Sequence, residues 1–224
     1  NIYALGDVIE FENPLSGTTG IIPLAGPANK QGRRVADNIV FGNTKAYPGT
    51  IATGIAKVFD LTVASTGLPE KALKQLNIPH KTFIIHLSDH AGYYPGAIPM
   101  TIKVVFAPRT GRLLGAQIVG FNGVDTRIDL FASASEAGDD IAIIGMNGTI
   151  WDLQNIEHSY APPYSSTKDP VNVAGFVAEN IFEGTSRHIQ WSEIVDAERG
   201  DVLQSNYTLL DVRSPEEHAH GAIQ

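Results

Sequence analysis

Asp7 stands just past the apolar run Ile2-Tyr-Ala-Leu5 and Gly6. Such a run fits a buried strand, and a carboxylate at the carboxyl end of a strand lies where open α/β sheets bind ligands. There it could accept hydrogen bonds from the hydroxyls of a sugar; an ordinary Gly-Asp turn is the competing reading. A helix is expected over residues 28–39, because Ala28, Gly32, Val35, Ala36 and Ile39 share one face. Its amino end would offer N–H groups and partial positive charge to an atom that becomes negative during a reaction. It could equally be a plain helix start after Pro27. Tyr93 lies in a Tyr-Tyr-Pro-Gly turn, Tyr160 stands before two prolines that stiffen its position, and Lys168 occupies a polar loop. His86, His90 and His158 are expected to satisfy polar contacts rather than to catalyse. The sequence contains no cysteine, so any thiol chemistry requires a nucleophile outside it. No metal site is expected.

These residues need a scaffold, and the pattern of the chain describes one. The 224 residues suffice for one or two cores. A net charge of −8 argues against nucleic acid, which selects a basic stripe. No run approaches eighteen apolar residues, so no membrane span is expected. Alternation over residues 59–64 reads as a strand, as do residues 82–88, 100–107 and 113–121, with residues 108–112 joining the last two as a hairpin. Pro69 opens a short helix carrying Ala72, Leu73 and Leu76, and Pro79 closes it. Asp125 is expected to cap a helix with Ile128, Phe131 and Ala132 inward, and the aspartates at 125 and 129 to pair with Arg127. Short helices are expected at 151–157 and 191–197, a longer one at 172–182, and a final strand at 207–212 followed by a polar loop. Residues 160–170 hold three prolines and cannot be regular.

Several separated motifs carry a resemblance. Tyr3-Ala-Leu-Gly-Asp7 followed by Pro23-Leu-Ala-Gly-Pro-Ala-Asn-Lys-Gln-Gly-Arg33 resembles the closing FAD segment of pyridine nucleotide-disulfide oxidoreductases. Residues 50–137, with Gly115-Ala-Gln-Ile-Val-Gly120, are similar to the dimerisation domain of the same superfamily. His90-Ala-Gly-Tyr-Tyr-Pro-Gly96, Gly123-Val-Asp-Thr-Arg-Ile-Asp129 and residues 160–172 resemble its coenzyme A-disulfide reductase branch, whose relatives include NADH oxidases and NAD(P)H-dependent persulfide reductases. Leu209-Leu-Asp-Val-Arg-Ser-Pro-Glu-Glu-His-Ala-His-Gly-Ala-Ile223 is similar to the first strand and loop of a rhodanese domain, with Asp211 and Arg213 in structural roles.

The resemblance implies an α+β chain in four parts. These are the end of an FAD-binding domain (1–43), a dimerisation domain with an antiparallel sheet and helices (44–165), a linker helix (166–188) and the start of a rhodanese domain (189–224). It implies an internal piece of a longer cytoplasmic protein, a homodimer that passes electrons from NAD(P)H through FAD to a cysteine and on to a coenzyme A disulfide or a persulfide. By resemblance, Asp7, Leu24 and Ala25 face the flavin. Tyr93 and Tyr160 reach across to the partner's flavin and redox cysteine, where a phenol can donate to a sulfur. Lys168 would meet a coenzyme A phosphate, and Asn29 stands where some relatives place a substrate-contacting histidine. Residues 136–149 are longer than the usual link. The isolated polypeptide is expected to be inactive. Alternatives are a fragment of a water-forming NADH oxidase or peroxidase, or a non-catalytic dimerisation module.

Overall fold

The computed structural model describes residues 2–133, 147–189, 210 and 212–220. The chain divides into two compact units, Asn1–Ser186 and Arg187–Gln224.

The first unit is built on a five-stranded antiparallel sheet: β3 (Gly54–Val58), β4 (Leu61–Gly67), β5 (Lys81–Ser88), β6 (Pro99–Phe106) and β7 (Leu113–Gly120), in spatial order β3-β4-β7-β6-β5. A small hairpin, β1 (Phe11–Glu12) with β2 (Thr19–Gly20), precedes it. Strand alternation sends Ala64, Phe83, Ile102, Val104, Ala116 and Ile118 to one side, where they are buried. That side packs against α3 (Val124–Ala132) and α5 (Pro170–Glu183), and α4 (Ile150–Asn155) packs on α5. Val124, Ile128, Phe131, Leu153, Val171, Ala174 and Ala178 complete the same core. Leu61, Val63, Ile84 and Val119 point the other way and remain exposed.

Several local expectations need correction. Residues 2–5 form no strand: Leu5 has extended dihedrals, yet no strand among the described residues pairs with it, and a ladder needs a partner. Asp7 lies instead in a 3₁₀ turn, Gly6–Val8. The first helix, α1 (Ala25–Phe41), begins three residues before Ala28, with extended Leu24 as its N-cap. Pro27 sits inside its first turn, where the missing N–H removes no intrahelical bond. Phe59 does not start a strand. It takes a positive φ of 54° in the turn between β3 and β4. The N-cap of α3 is Gly123, not Asp125, whose carboxylate sits in the first turn.

Two helix starts follow their sequence chemistry. Thr149 and Asp152 form a reciprocal capping box at α4. Asp169 caps α5 with Pro170 as the first helical residue. Helix α2 (Glu70–Gln75) follows Pro69 and buries Leu73.

On α2, Glu70 is clasped by Lys103 and Lys74. The hydrogen bond from Lys103, then that from Lys74, lowers its pKa from the ordinary 4.5 to about 2. A lowered carboxyl pKa contributes stability that is fully present above the unfolded value and lost as pH falls through the folded one. The Glu70→Gln chain is therefore expected to lose less melting temperature than the parent between about pH 4.5 and pH 2. Parallel melting curves that decline identically would refute that assignment.

In the second unit, α6 (Pro215–Ala219) occupies part of the stretch expected to be a polar loop. Ser214 and Glu217 form its capping box, so the Ser-Pro-Glu-Glu signal for a helix was present in the sequence. The helix expected at 191–197, most of the strand at 207–212, and residues 136–146 of the long link lie outside the described residues.

Candidate active site

The expected site residues fall into two groups. In the first, the turn bearing Asp7 is tied alongside α1. The Gly6 N–H donates to Gln31 Oε1 (2.7 Å), and Tyr3 Oη donates to Asn43 Oδ1 (2.6 Å). Asp7 is exposed beside the amino half of α1, close enough that a Cβ on Gly6 would stand 3.9 Å from that of Ala28. Leu24 and Ala25 form the start of α1, which has no acidic residue in its first turn and no side-chain cap. They line a cleft of about 310 Å³ with Gly26, Pro27, Gly54 and Asp125. Asn29, also exposed, donates back to the Ala25 carbonyl (3.2 Å). This group brings together an uncapped helix amino end, the exposed Asp7 and a cleft also lined by Asp125 and Asp129.

The second group lies on two loops. Tyr93 is carried between β5 and β6, and Tyr160 between α4 and α5. Their phenol oxygens are 3.0 Å apart and share a hydrogen bond. That bond pushes the Tyr160 pKa above the usual phenol value. Tyr93 is 77% exposed and Tyr160 45%, so the pair is presented outward rather than packed into the core. Tyr160 and Lys168 line one cleft of about 320 Å³, together with His158, Ser166, Asn172 and Phe176. Lys168 Nζ lies 5.8 Å over the Phe176 ring, which holds the ammonium without neutralising it. Among the described residues, no hydrogen bond or ion pair joins this group to the first.

Sequence reasoning missed what lies beneath the tyrosines. Arg127 does not pair with Asp125 or Asp129; it forms a buried ion pair with Asp169, 42 residues away. Nη2 donates to Asp169 Oδ2 (2.8 Å) and Nε spans both carboxylate oxygens (3.2 Å each). Residues two apart on a helix do not face each other, so neighbouring aspartates were poor candidates. Burial pushes the Asp169 carboxyl up, but the bonds from Arg127, Ser165 and the Val171 N–H outweigh it and hold its pKa below the ordinary value. The available signal was Asp169-Pro170, an N-cap followed by a first-turn proline. His158 also contributes: burial lowers its pKa, Asp169 pulls it up and Arg127 pushes it down, with a net lowering that favours the neutral ring. Its Nε2 is buried without a hydrogen-bond partner.

Residues 53–151 match the family described as pyridine nucleotide-disulphide oxidoreductase, dimerisation domain. The chain is 35% identical over 179 residues to a coenzyme A disulfide reductase of Staphylococcus epidermidis, covering 80% of this chain and 38% of that protein. Its fold is similar to that of reduced Bacillus anthracis CoADR-RHD, with a TM-score of 0.87 and 47% identity over 99% of this chain and 37% of the other. It is also similar to an NAD-dependent persulfide reductase from A. fulgidus, with a TM-score of 0.78 and 38% identity over 85% of this chain and 34% of the other. The chain thus spans less than two fifths of the length of these relatives. Residues 53–151 match the dimerisation domain of the pyridine nucleotide-disulphide oxidoreductase family, and the described residues of that stretch carry its fold.

Proposed function

We propose that this chain supplies one half of a redox site shared between two subunits of an FAD-dependent reductase. That enzyme would use NAD(P)H to reduce a coenzyme A disulfide or a persulfide. The observation that carries the reading is the outward-facing Tyr93–Tyr160 hydrogen bond above a cleft that also holds Lys168. A hydrogen-bonded phenol pair is a suitable donor to a thiolate or a departing sulfur. An ammonium beside it suits a phosphate.

The residues of the first group fit a flavin. An uncapped helix start offers N–H groups and positive potential to a ring edge that gains negative charge. An exposed carboxylate beside it offers acceptors to the hydroxyls of the ribityl chain. Asp7 would hold that chain, and Leu24 and Ala25 would border the ring. When bound, FAD supplies the hydride-accepting centre between the nicotinamide and a cysteine. The cysteine belongs to polypeptide outside these residues, and thiol–disulfide exchange completes the reaction. In this reading residues 1–43 close the FAD domain, 44–165 form the homodimer interface, and 189–224 open a rhodanese domain after a linker helix. Asn29 borders the substrate. A disulfide-reducing role suits the cytoplasm, where thiols are kept reduced.

The test is the purified full-length protein, assayed for flavin absorbance and for NAD(P)H consumption with coenzyme A disulfide, with a persulfide and with oxygen. Lys168→Ala is expected to raise KM for coenzyme A disulfide about tenfold, on the order of 1.4 kcal/mol. Consumption with oxygen should not change. A protein that reduces only oxygen, indifferent to Lys168, would favour a water-forming oxidase and overturn the proposal.

A further inference from the structure

We infer that the buried Arg127–Asp169 pair is a positioning clamp that fixes the two tyrosine-bearing loops against each other, so that Tyr93 and Tyr160 act as one hydrogen-bonded unit. The inference rests on the reading of that pair as part of the active site, and its geometry is independent of any ligand.

Arg127 is 5% exposed and Asp169 4%. From α3, the guanidinium reaches both loops at once. Nη2 donates to the Asp89 carbonyl (2.7 Å) at the root of the Tyr93 loop, and Nε and Nη2 donate to Asp169 at the end of the Tyr160 loop. Nη1 closes the fork on the Gly123 carbonyl (3.1 Å). Gly123 has a φ of 66°, and a Cβ there would lie 2.3 Å from that nitrogen, so the fork at this position calls for glycine. Each loop is then braced from the clamp outward. Asp89 accepts from the Ile98 N–H (2.9 Å) across the base of the Tyr93 loop and from Asn122 (3.2 Å). Asp169 Oδ2 accepts from Ser165 Oγ (2.6 Å). The Ser165 carbonyl in turn accepts from the Ala91 N–H (3.1 Å), which crosses from one loop to the other. Tyr93 is two residues beyond Ala91, and Tyr160 five before Ser165. The 3.0 Å phenol contact is therefore held at its base by a charge-assisted fork. A surface hydrogen bond between two exposed rings would not by itself fix two loops, because its net worth is about 1 kcal/mol.

The experiment places 3-fluorotyrosine at position 160 of the full-length protein and follows its titration by fluorine NMR. His158, Glu157 and Lys168, which line the same cleft, are left untouched. In the parent the label should titrate above the free amino acid, and Tyr93→Phe should remove most of that elevation. Arg127→Lys, which keeps the charge but loses the fork, is expected to bring the label to the Tyr93→Phe value. It should also lower kcat toward that of Tyr93→Phe with KM for NAD(P)H unchanged. Should Arg127→Lys fail to fold, Ser165→Ala decides alone: it retains the ion pair and the Ala91–Ser165 backbone bond, removes the hydroxyl that ties residue 165 to Asp169, and is expected to remove at least half of the elevation. A folded variant of lowered melting temperature whose label titrates as in the parent would overturn the clamp. A label that responds while turnover does not would support the clamp and count against the catalytic reading.

Discussion

A Gly115→Ala chain is expected to lose about 3 kcal/mol of stability, the upper end of what overpacking a folded interior costs. A methyl group at 115 would stand 2.2 Å from the Leu68 carbonyl oxygen, 3.0 Å from its carbon and 3.1 Å from its nitrogen. All three are backbone atoms, so no rotamer change relieves the clash. The backbone cannot retreat cheaply either. The Leu68 N–H donates to the Leu114 carbonyl (2.8 Å), the Gly67 N–H donates to the Ile51 carbonyl (2.8 Å), and Gly67 is the ladder partner of Gly115. Moving Leu68 therefore strains hydrogen bonds on both sides of β4, and β7 lies between β4 and β6 in the sheet. Gly32 in α1 is the control. Nothing lies within 4 Å of a Cβ there, and alanine is the better helix former by about 1 kcal/mol. Urea unfolding of the two variants should move in opposite directions. A Gly115→Ala midpoint equal to that of the parent would refute the close approach.

Gly115 also shows where a sequence is legible. Strands β5, β6 and β7 could be read as apolar runs bounded by turn residues, because each buries one face against α3 or α5, and Val105 and Leu114 on the opposite face pack with Leu68 and Leu73. The edge strand β3 could not. Gly54-Ile-Ala-Lys-Val58 has only Gly54 partly covered and the rest exposed, so burial imposes no contrast on its residue types. Phe59 then adopts a turn conformation that an aromatic side chain does not advertise. Residues 2–5 mislead in the opposite sense: apolar content reports a preference for burial, while strand formation also needs a neighbour. At the candidate site, residue types were legible through the resemblance, which also grouped Tyr93 with Tyr160, but their direct contact and the ion pair between Arg127 and Asp169 were not. Tyr93 and Tyr160 are 67 residues apart, and Arg127 and Asp169 are 42 apart. Local spacing directed Arg127 to Asp125 and Asp129. The burial of α3 directed it to a buried carboxylate, Asp169, since an unpaired charge there would be costly.

The tyrosine pair yields the largest expected effect on activity. Tyr93→Phe and Tyr160→Phe in the full-length protein should each lower disulfide or persulfide reduction about 100-fold, equivalent to about 2.7 kcal/mol of barrier. The double variant should lose little more than either single one. Non-additivity is the signature of groups that act as a unit, and the 3.0 Å contact makes each phenol the other's support. The hydrogen bond with Tyr93 raises the Tyr160 pKa above the ordinary phenol value, so at neutral pH Tyr160 has a proton to donate to a developing thiolate. Folding should be nearly indifferent, because both rings are exposed and exposed substitutions usually change stability by less than about 0.5 kcal/mol. Electron flow from NAD(P)H to a small one-electron acceptor such as ferricyanide should also survive, since that route needs no sulfur leaving group. Loss of both activities together would place the tyrosines in flavin binding rather than in sulfur chemistry. Losses that simply multiply in the double variant would show that the phenols work apart, and the shared hydrogen bond would then have no catalytic meaning.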